Sequence, residues 1–134
     1  MNGKTMRKIN TIIIHHSATE FGSADQMSGF HFVILNGTEN DGGDYLEARD
    51  GVTVIGNSLE SPGKHTIGHD LDSVGICIIG NQTFSEKQFS SFEVLVRQLK
   101  TEIPNMIQIV GHDCYEPVDC PAFDWREYLG SRGL

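Results

Sequence analysis

The sequence predicts an α/β fold, and three observations predict it. Five short apolar runs rich in β-branched residues, at Ile9–Ile14, Phe30–Leu35, Val52–Ile55, Ser73–Ile79 and Met106–Val110, read as strands. Between the fourth and fifth runs, Phe89, Phe92, Leu95, Val96 and Leu99 recur at helical spacing. The chain has 134 residues, 38% hydrophobic and 21% charged, which suits one soluble domain with its own core and excludes a disordered chain or a coiled coil. One domain over residues 1–134 is therefore expected.

Each element has its own local cause. The first run ends at His15-His16-Ser17, so its polar residues stand at a strand's end. Glu20 to Gly29 is polar and carries Gly and Ser, hence a loop. In Phe30-His31-Phe32 the alternation sets His31 on the face opposite its aromatic neighbours. Asn36 to Asp44 contains Asn-Gly and Asp-Gly-Gly, strong turn chemistry. Ser73–Ile79 is nearly continuous in apolar residues, as a central strand covered on both faces should be, and Cys77 is read as core. Ser85 followed three positions later by Gln88 matches a capping box for the long helix, and Pro104 stops it. A short helix is expected from Asp124 to about Gly130.

Charge and cysteine content narrow the function. A formal net charge of −8 argues against a nucleic acid or an anionic membrane as partner, because both call for a basic face. After Lys4, Arg7 and Lys8 the apolar stretch Ile12–Ile14 is too short for the core of a signal peptide, and no stretch reaches membrane-spanning length. The chain is expected to be cytoplasmic as synthesised, with any release left to a separate system, and to be a monomer. Three cysteines cannot all pair within the chain, and a Cys114–Cys120 bridge would use up a thiol better spent on metal.

That thiol belongs to the most informative segment, Gly111-His-Asp-Cys-Tyr-Glu-Pro-Val-Asp-Cys-Pro-Ala-Phe-Asp124. His112 and Cys120, with His15 far upstream, make a set of two imidazoles and one thiolate, the donor types that zinc selects. Three protein ligands leave a fourth position open, which marks a catalytic rather than a structural zinc site. The expected cofactor is thus Zn2+ and the expected class a hydrolase.

Several segments in order, Ile12-Ile-Ile-His-His-Ser-Ala-Thr19, Phe30-His-Phe32, Arg49-Asp-Gly51, His65, Asp72-Ser-Val-Gly-Ile-Cys-Ile-Ile-Gly80 and Gly111-His112 through Cys120-Pro-Ala-Phe-Asp124, span nearly the whole chain. Together they resemble the zinc-dependent N-acetylmuramoyl-L-alanine amidases of the phage-lysozyme type, the family that also holds the peptidoglycan recognition proteins. The resemblance implies a central mixed β-sheet flanked by helices, a compact domain with a zinc cleft. It makes His15, His112 and Cys120 the metal ligands and His16 a neighbour that does not bind. His31 and His65 fall at cleft positions and are candidate substrate-binding residues. The implied reaction is hydrolysis of the amide between N-acetylmuramic acid and L-alanine, with bacterial peptidoglycan or muropeptides as partner.

The chain departs from that pattern at two points. Many catalytic members carry tyrosine where this chain has Phe30, and lysine or threonine where it has Val118. Losing one donor to a developing oxyanion commonly costs about 10²–10³ in rate. Replacement donors are expected in the long connection from Phe32 to Arg49, where Tyr45 would donate to the oxyanion and Glu47 would act as general base, with Glu116 and Asp119 as second choices. A module that binds peptidoglycan without cutting it, and a zinc peptidase acting within the stem peptide, are the alternatives.

Overall fold

The structure of the chain, a computed structural model, describes residues 7–106 and 108–134. Lys4 of the basic N-terminal stretch and Ile107 of the fifth expected strand lie outside the described residues. Five strands form one sheet: β1 (Thr11–His16), β2 (Phe32–Ile34), β3 (Thr53–Ile55), β4 (Ser73–Ile78) and β5 (Gln108–Gly111), in the spatial order β3-β2-β4-β1-β5. β1 runs parallel to β4 and β5, and β2 parallel to β4, while β3 closes the edge antiparallel to β2. The sheet is mixed, and its most apolar strand, β4, is central.

Period-2 alternation assigns the two faces. Ile12, Ile14, Val74, Ile76, Ile78 and Ile34 point to one side and form the main core with Phe92, Leu95, Val96, Leu99, Trp125 and Leu129. These last six come from α1 (Glu86–Glu102) and α2 (Trp125–Ser131), so both helices cover the same face. The other face carries Val33, Leu35, Cys77 and Ile79, against which Met27, Phe30 and Val54 pack. His15 belongs to this second face, paired with Cys77 in the β1/β4 register.

The helix starts follow their capping residues. The Ser85 side chain accepts from Gln88 N–H at 3.1 Å while Gln88 Oε1 accepts from Ser85 N–H at 2.9 Å. Gln88 is itself buried, and its Nε2 donates to the carbonyls of Ile34 and Ile79, tying the helix to the ends of β2 and β4. Asp124 caps α2. The stretch from Glu20 to Gly29 holds only a single 3-10 turn, Ala24–Gln26. All three cysteines carry free thiols, with Cys77 buried and Cys114 exposed. Among the described residues no helix is long and apolar enough to cross a membrane.

Candidate metal centre

β1 delivers His15 at its penultimate position, and β5 hands over directly to the 3-10 turn His112–Cys114. Parallel pairing of these strands sets Ile14 opposite Gly111, which brings the two histidines side by side with ring centroids 4.5 Å apart. The third donor returns on the loop after the turn, which is closed by Asp113 N–H donating to the Cys120 carbonyl at 3.0 Å. Asp113 also accepts from Trp125 Nε1 at 2.9 Å, which anchors this loop to α2. Gly111 is required here because a β-carbon would stand 2.2 Å from Trp125 Nε1.

One donor atom from each of His15, His112 and Cys120 lies within 4.8 Å of the others, a group that could hold a metal ion. His15 Nδ1 and Cys120 Sγ are 3.9 Å apart. Ligands at tetrahedral zinc distances should stand about 3.5 Å from each other, so the residues fit the ion with a small inward adjustment. His16 stays outside the group, its ring edge-on to Phe84, but its backbone N–H donates to Cys120 Sγ at 3.4 Å.

Burial tunes the donors. His15 is 2% exposed, and burial, then His65, His112 and His16, push its pKa down to about 2, so it is a neutral imidazole with a free lone pair at neutral pH. Burial pushes the Cys120 thiol up to about 11, partly offset by the His16 N–H, while Asp113, Asp119 and Glu116 add to the rise. A cation must therefore displace the thiol proton, as ligation of cysteine requires.

Behind His15 lies a hydrogen-bonded support. Its Nε2 sits 3.1 Å from Thr66 Oγ1 and 3.2 Å from His65 Nδ1. Asp70 Oδ1 accepts from the backbone N–H groups of His65 and Thr66 at 3.0 and 2.8 Å and lies 3.5 Å from His65 Nε2. This leaves His15 Nδ1 as the atom facing Cys120. Burial lowers the His65 pKa to about 4, against the opposing pull of Asp70.

Four of the expected site residues lie as follows. The His65 side chain is fully buried, with its Nδ1 3.2 Å from His15 Nε2, behind the candidate donor. His31 is also fully buried, because the segment from Gly56 to Asp72 folds over the face its alternation had assigned it. Its Nδ1 accepts from Gly75 N–H at 3.0 Å and its Nε2 donates to the Ser61 carbonyl at 2.6 Å, with the Arg7 guanidinium alongside, leaving no atom for a ligand. Arg7 fastens the same segment by donating to the carbonyls of Leu59, Asp70, Leu71 and Ser73.

Tyr45 and Glu47 do not fold back over the donors. Tyr45 is 56% exposed and donates to Asp50 at 2.6 Å, and Asp50 in turn accepts from Ser85 at the start of α1. Glu47 faces Lys87 of α1 at 3.4 Å. Both are tied to the helix that covers the opposite face from His15. Phe30, by contrast, is at the centre, its ring 4.9 Å from that of His15, and Val118 is 42% exposed beside the ligand loop. Sequence reasoning missed Thr66, Asp70 and Arg7, which carry no motif and act across long separations. Glu116, named only as a base, stands with Oε1 2.7 Å from His112 Nε2.

The chain is similar to known proteins in both sequence and fold. The endolysin of Enterobacteria phage K11 is 26% identical over 109 residues, 75% of this chain and 63% of that relative. The chain thus spans less than two thirds of the length of this endolysin. The N-acetylmuramoyl-L-alanine amidase LysC of Clostridium intestinale URNW shares the fold with a TM-score of 0.78 at 19% identity, covering 96% of this chain and 87% of that one. Bumblebee PGRP-SA does so with a TM-score of 0.70 at 21% identity, covering 97% and 87%. The sequence pattern of the family described as N-acetylmuramoyl-L-alanine amidase matches residues 5–123, nearly the whole chain, and the chain belongs to that family.

Proposed function

We propose that the chain is a zinc-dependent hydrolase of bacterial peptidoglycan or muropeptides, cutting the amide between the lactyl group of N-acetylmuramic acid and L-alanine. The observation that carries this reading is the meeting of His15, His112 and Cys120 from two strands and a loop, with donor atoms within 4.8 Å. His15, His112 and Cys120 would hold a zinc ion, which would supply Lewis-acid chemistry to the scissile carbonyl and a water of pKa about 7.

The chain's own residues do the rest. Burial keeps the His15 imidazole neutral and available at neutral pH. Thr66 and His65 fix the orientation of that imidazole from behind, and the Arg7 contacts hold the segment that carries them. The Phe30 ring stands edge-on to His15 at 4.9 Å and gives that side of the donors an apolar wall. Hydrolysis adds hydroxyl to the lactyl carbonyl carbon and a proton to the departing amine, giving a free carboxylate and a free L-alanine amino group. Acting on polymer, such an enzyme serves as a lysin; acting on fragments, it serves in wall recycling.

A second reading, a module that binds peptidoglycan without cutting it, is favoured by Phe30 and Val118, neither of which can donate a hydrogen bond to an oxyanion. Mass spectrometry of purified peptidoglycan separates the two. New L-alanine amine and lactyl carboxylate, lost with a chelator and restored by zinc, establish the amidase. Intact glycopeptide with folded, zinc-loaded protein establishes the binding module, and cleavage between stem residues establishes a peptidase.

A further inference from the structure

We propose that Glu116 is a positioning residue that holds His112 in its Nε2–H tautomer and so presents Nδ1 to the metal. The inference rests on the metal-site reading and adds a residue to it. A neutral imidazole that ligates through one nitrogen carries its proton on the other, and that N–H needs a fixed acceptor if the ring is to be held in one tautomer and one orientation. For His15 the groups placed to receive it are Thr66 Oγ1 and His65 Nδ1. For His112 the group is Glu116 Oε1, 2.7 Å from Nε2.

A carboxylate oxygen is an acceptor, so the contact is made as a hydrogen bond when Nε2 carries the imidazole proton. Glu116 is not one of the three residues whose donor atoms lie within 4.8 Å of one another, and its contact occupies Nε2, which leaves Nδ1 as the nitrogen free for a metal. Local backbone geometry makes the contact short-range: the turn after β5 is closed by the N–H groups of Tyr115 and Glu116 donating to the His112 carbonyl at 3.0 and 3.3 Å, and this brings the side chain at i+4 back over the ring. The side chains are 15% and 30% exposed, so water screens the pair, and its effect falls on ring orientation more than on folding stability.

The test uses the full chain in wild-type, Glu116→Ala and Glu116→Gln forms. Long-range proton–nitrogen NMR on the metal-free protein at mildly alkaline pH reads the His112 tautomer. Competition with a chromophoric chelator reads zinc affinity, and urea unfolding reads stability. Wild-type protein is expected to show the Nε2–H tautomer alone. Glu116→Ala is expected to mix the tautomers and weaken zinc by about 10–100-fold, with an unchanged unfolding midpoint. Glu116→Gln keeps an acceptor oxygen and is expected to recover the tautomer and most of the affinity.

A wild-type His112 protonated on Nδ1, or a Glu116→Ala protein with wild-type zinc affinity, overturns the proposal. Abolished binding in both variants makes Glu116 a ligand and overturns the positioning role. A wild-type chain that binds no zinc overturns the metal reading and this proposal with it, whereas wild-type binding beside an indifferent Glu116→Ala overturns the proposal alone.

Discussion

The imidazole of His65 lies on Gly75, filling the space where a β-carbon would stand: such an atom would be 2.6 Å from His65 Cγ. Gly75 is the β4 residue registered against Ile13 of β1, two positions before His15 on the same face. The central strand thereby seats the histidine that sits behind His15. Glycine in a buried strand otherwise weakens it, and here the close approach of a ring accounts for it.

Gly75→Ala should therefore act on both fold and site. Overpacking of this kind costs about 1–3 kcal/mol, and displacement of His65 should weaken metal binding as well. Urea unfolding and a zinc titration check it together; wild-type values in both would show that His65 moves aside freely.

Removing a donor should remove the metal. His15→Ala and Cys120→Ser are each expected to lose stoichiometric zinc and peptidoglycan hydrolysis, with circular dichroism unchanged, since both side chains are buried but neither belongs to the two apolar clusters that hold the sheet and helices together. Elemental analysis of the purified variants is the readout, and a full equivalent of tightly held zinc in either would exclude that residue as a ligand.

The metal-free protein should lose stability in mild acid. The folded-state pKa values of His15 and His65 lie at about 2 and about 4, both below the unfolded 6.5. The unfolded chain then binds more protons as pH falls below 6.5, so stability is complete above that value and declines beneath it. Each histidine contributes about 1.4 kcal/mol per pH unit until its folded pKa is reached. Unfolding midpoints measured between neutral pH and pH 5 are expected to fall steeply, and a flat profile would show that neither ring is held neutral.

Tyr45→Phe and Glu47→Gln should leave hydrolysis unchanged. Their partners are Asp50, which accepts from Ser85 at the cap of α1, and Lys87 in its first turn, and that helix covers the opposite face from His15. Steady-state rates on purified peptidoglycan decide the matter, and a large drop in kcat for either would mean that the 37–50 segment rearranges over the donors during turnover.

What the sequence determined by itself is what local rules govern. Residue type and period fixed the strands, because each apolar alternation or run needs only its own neighbours to choose a face, and the start of α1 lay in Ser85 and Gln88. The grouping of His15, His112 and Cys120, whose donor atoms the structure brings within 4.8 Å, was legible because two imidazoles at strand ends and a following thiol have few other uses in combination.

The tertiary structure decided everything that depends on which surface is covered. His31 looked available because nothing in its own segment announces that residues 56–72, fastened by Arg7, close over it, and His65 because nothing in that covering segment announces that its ring turns inward onto Gly75. Tyr45 and Glu47 went to Ser85-bound Asp50 and Lys87 because those partners lie 5 and 40 positions away, and proximity in space, set by α1 packing on its face of the sheet, selects between solvent, helix and donors. Burial is a property of the whole chain, and it is burial that makes His15 neutral, His65 a support and His31 structural.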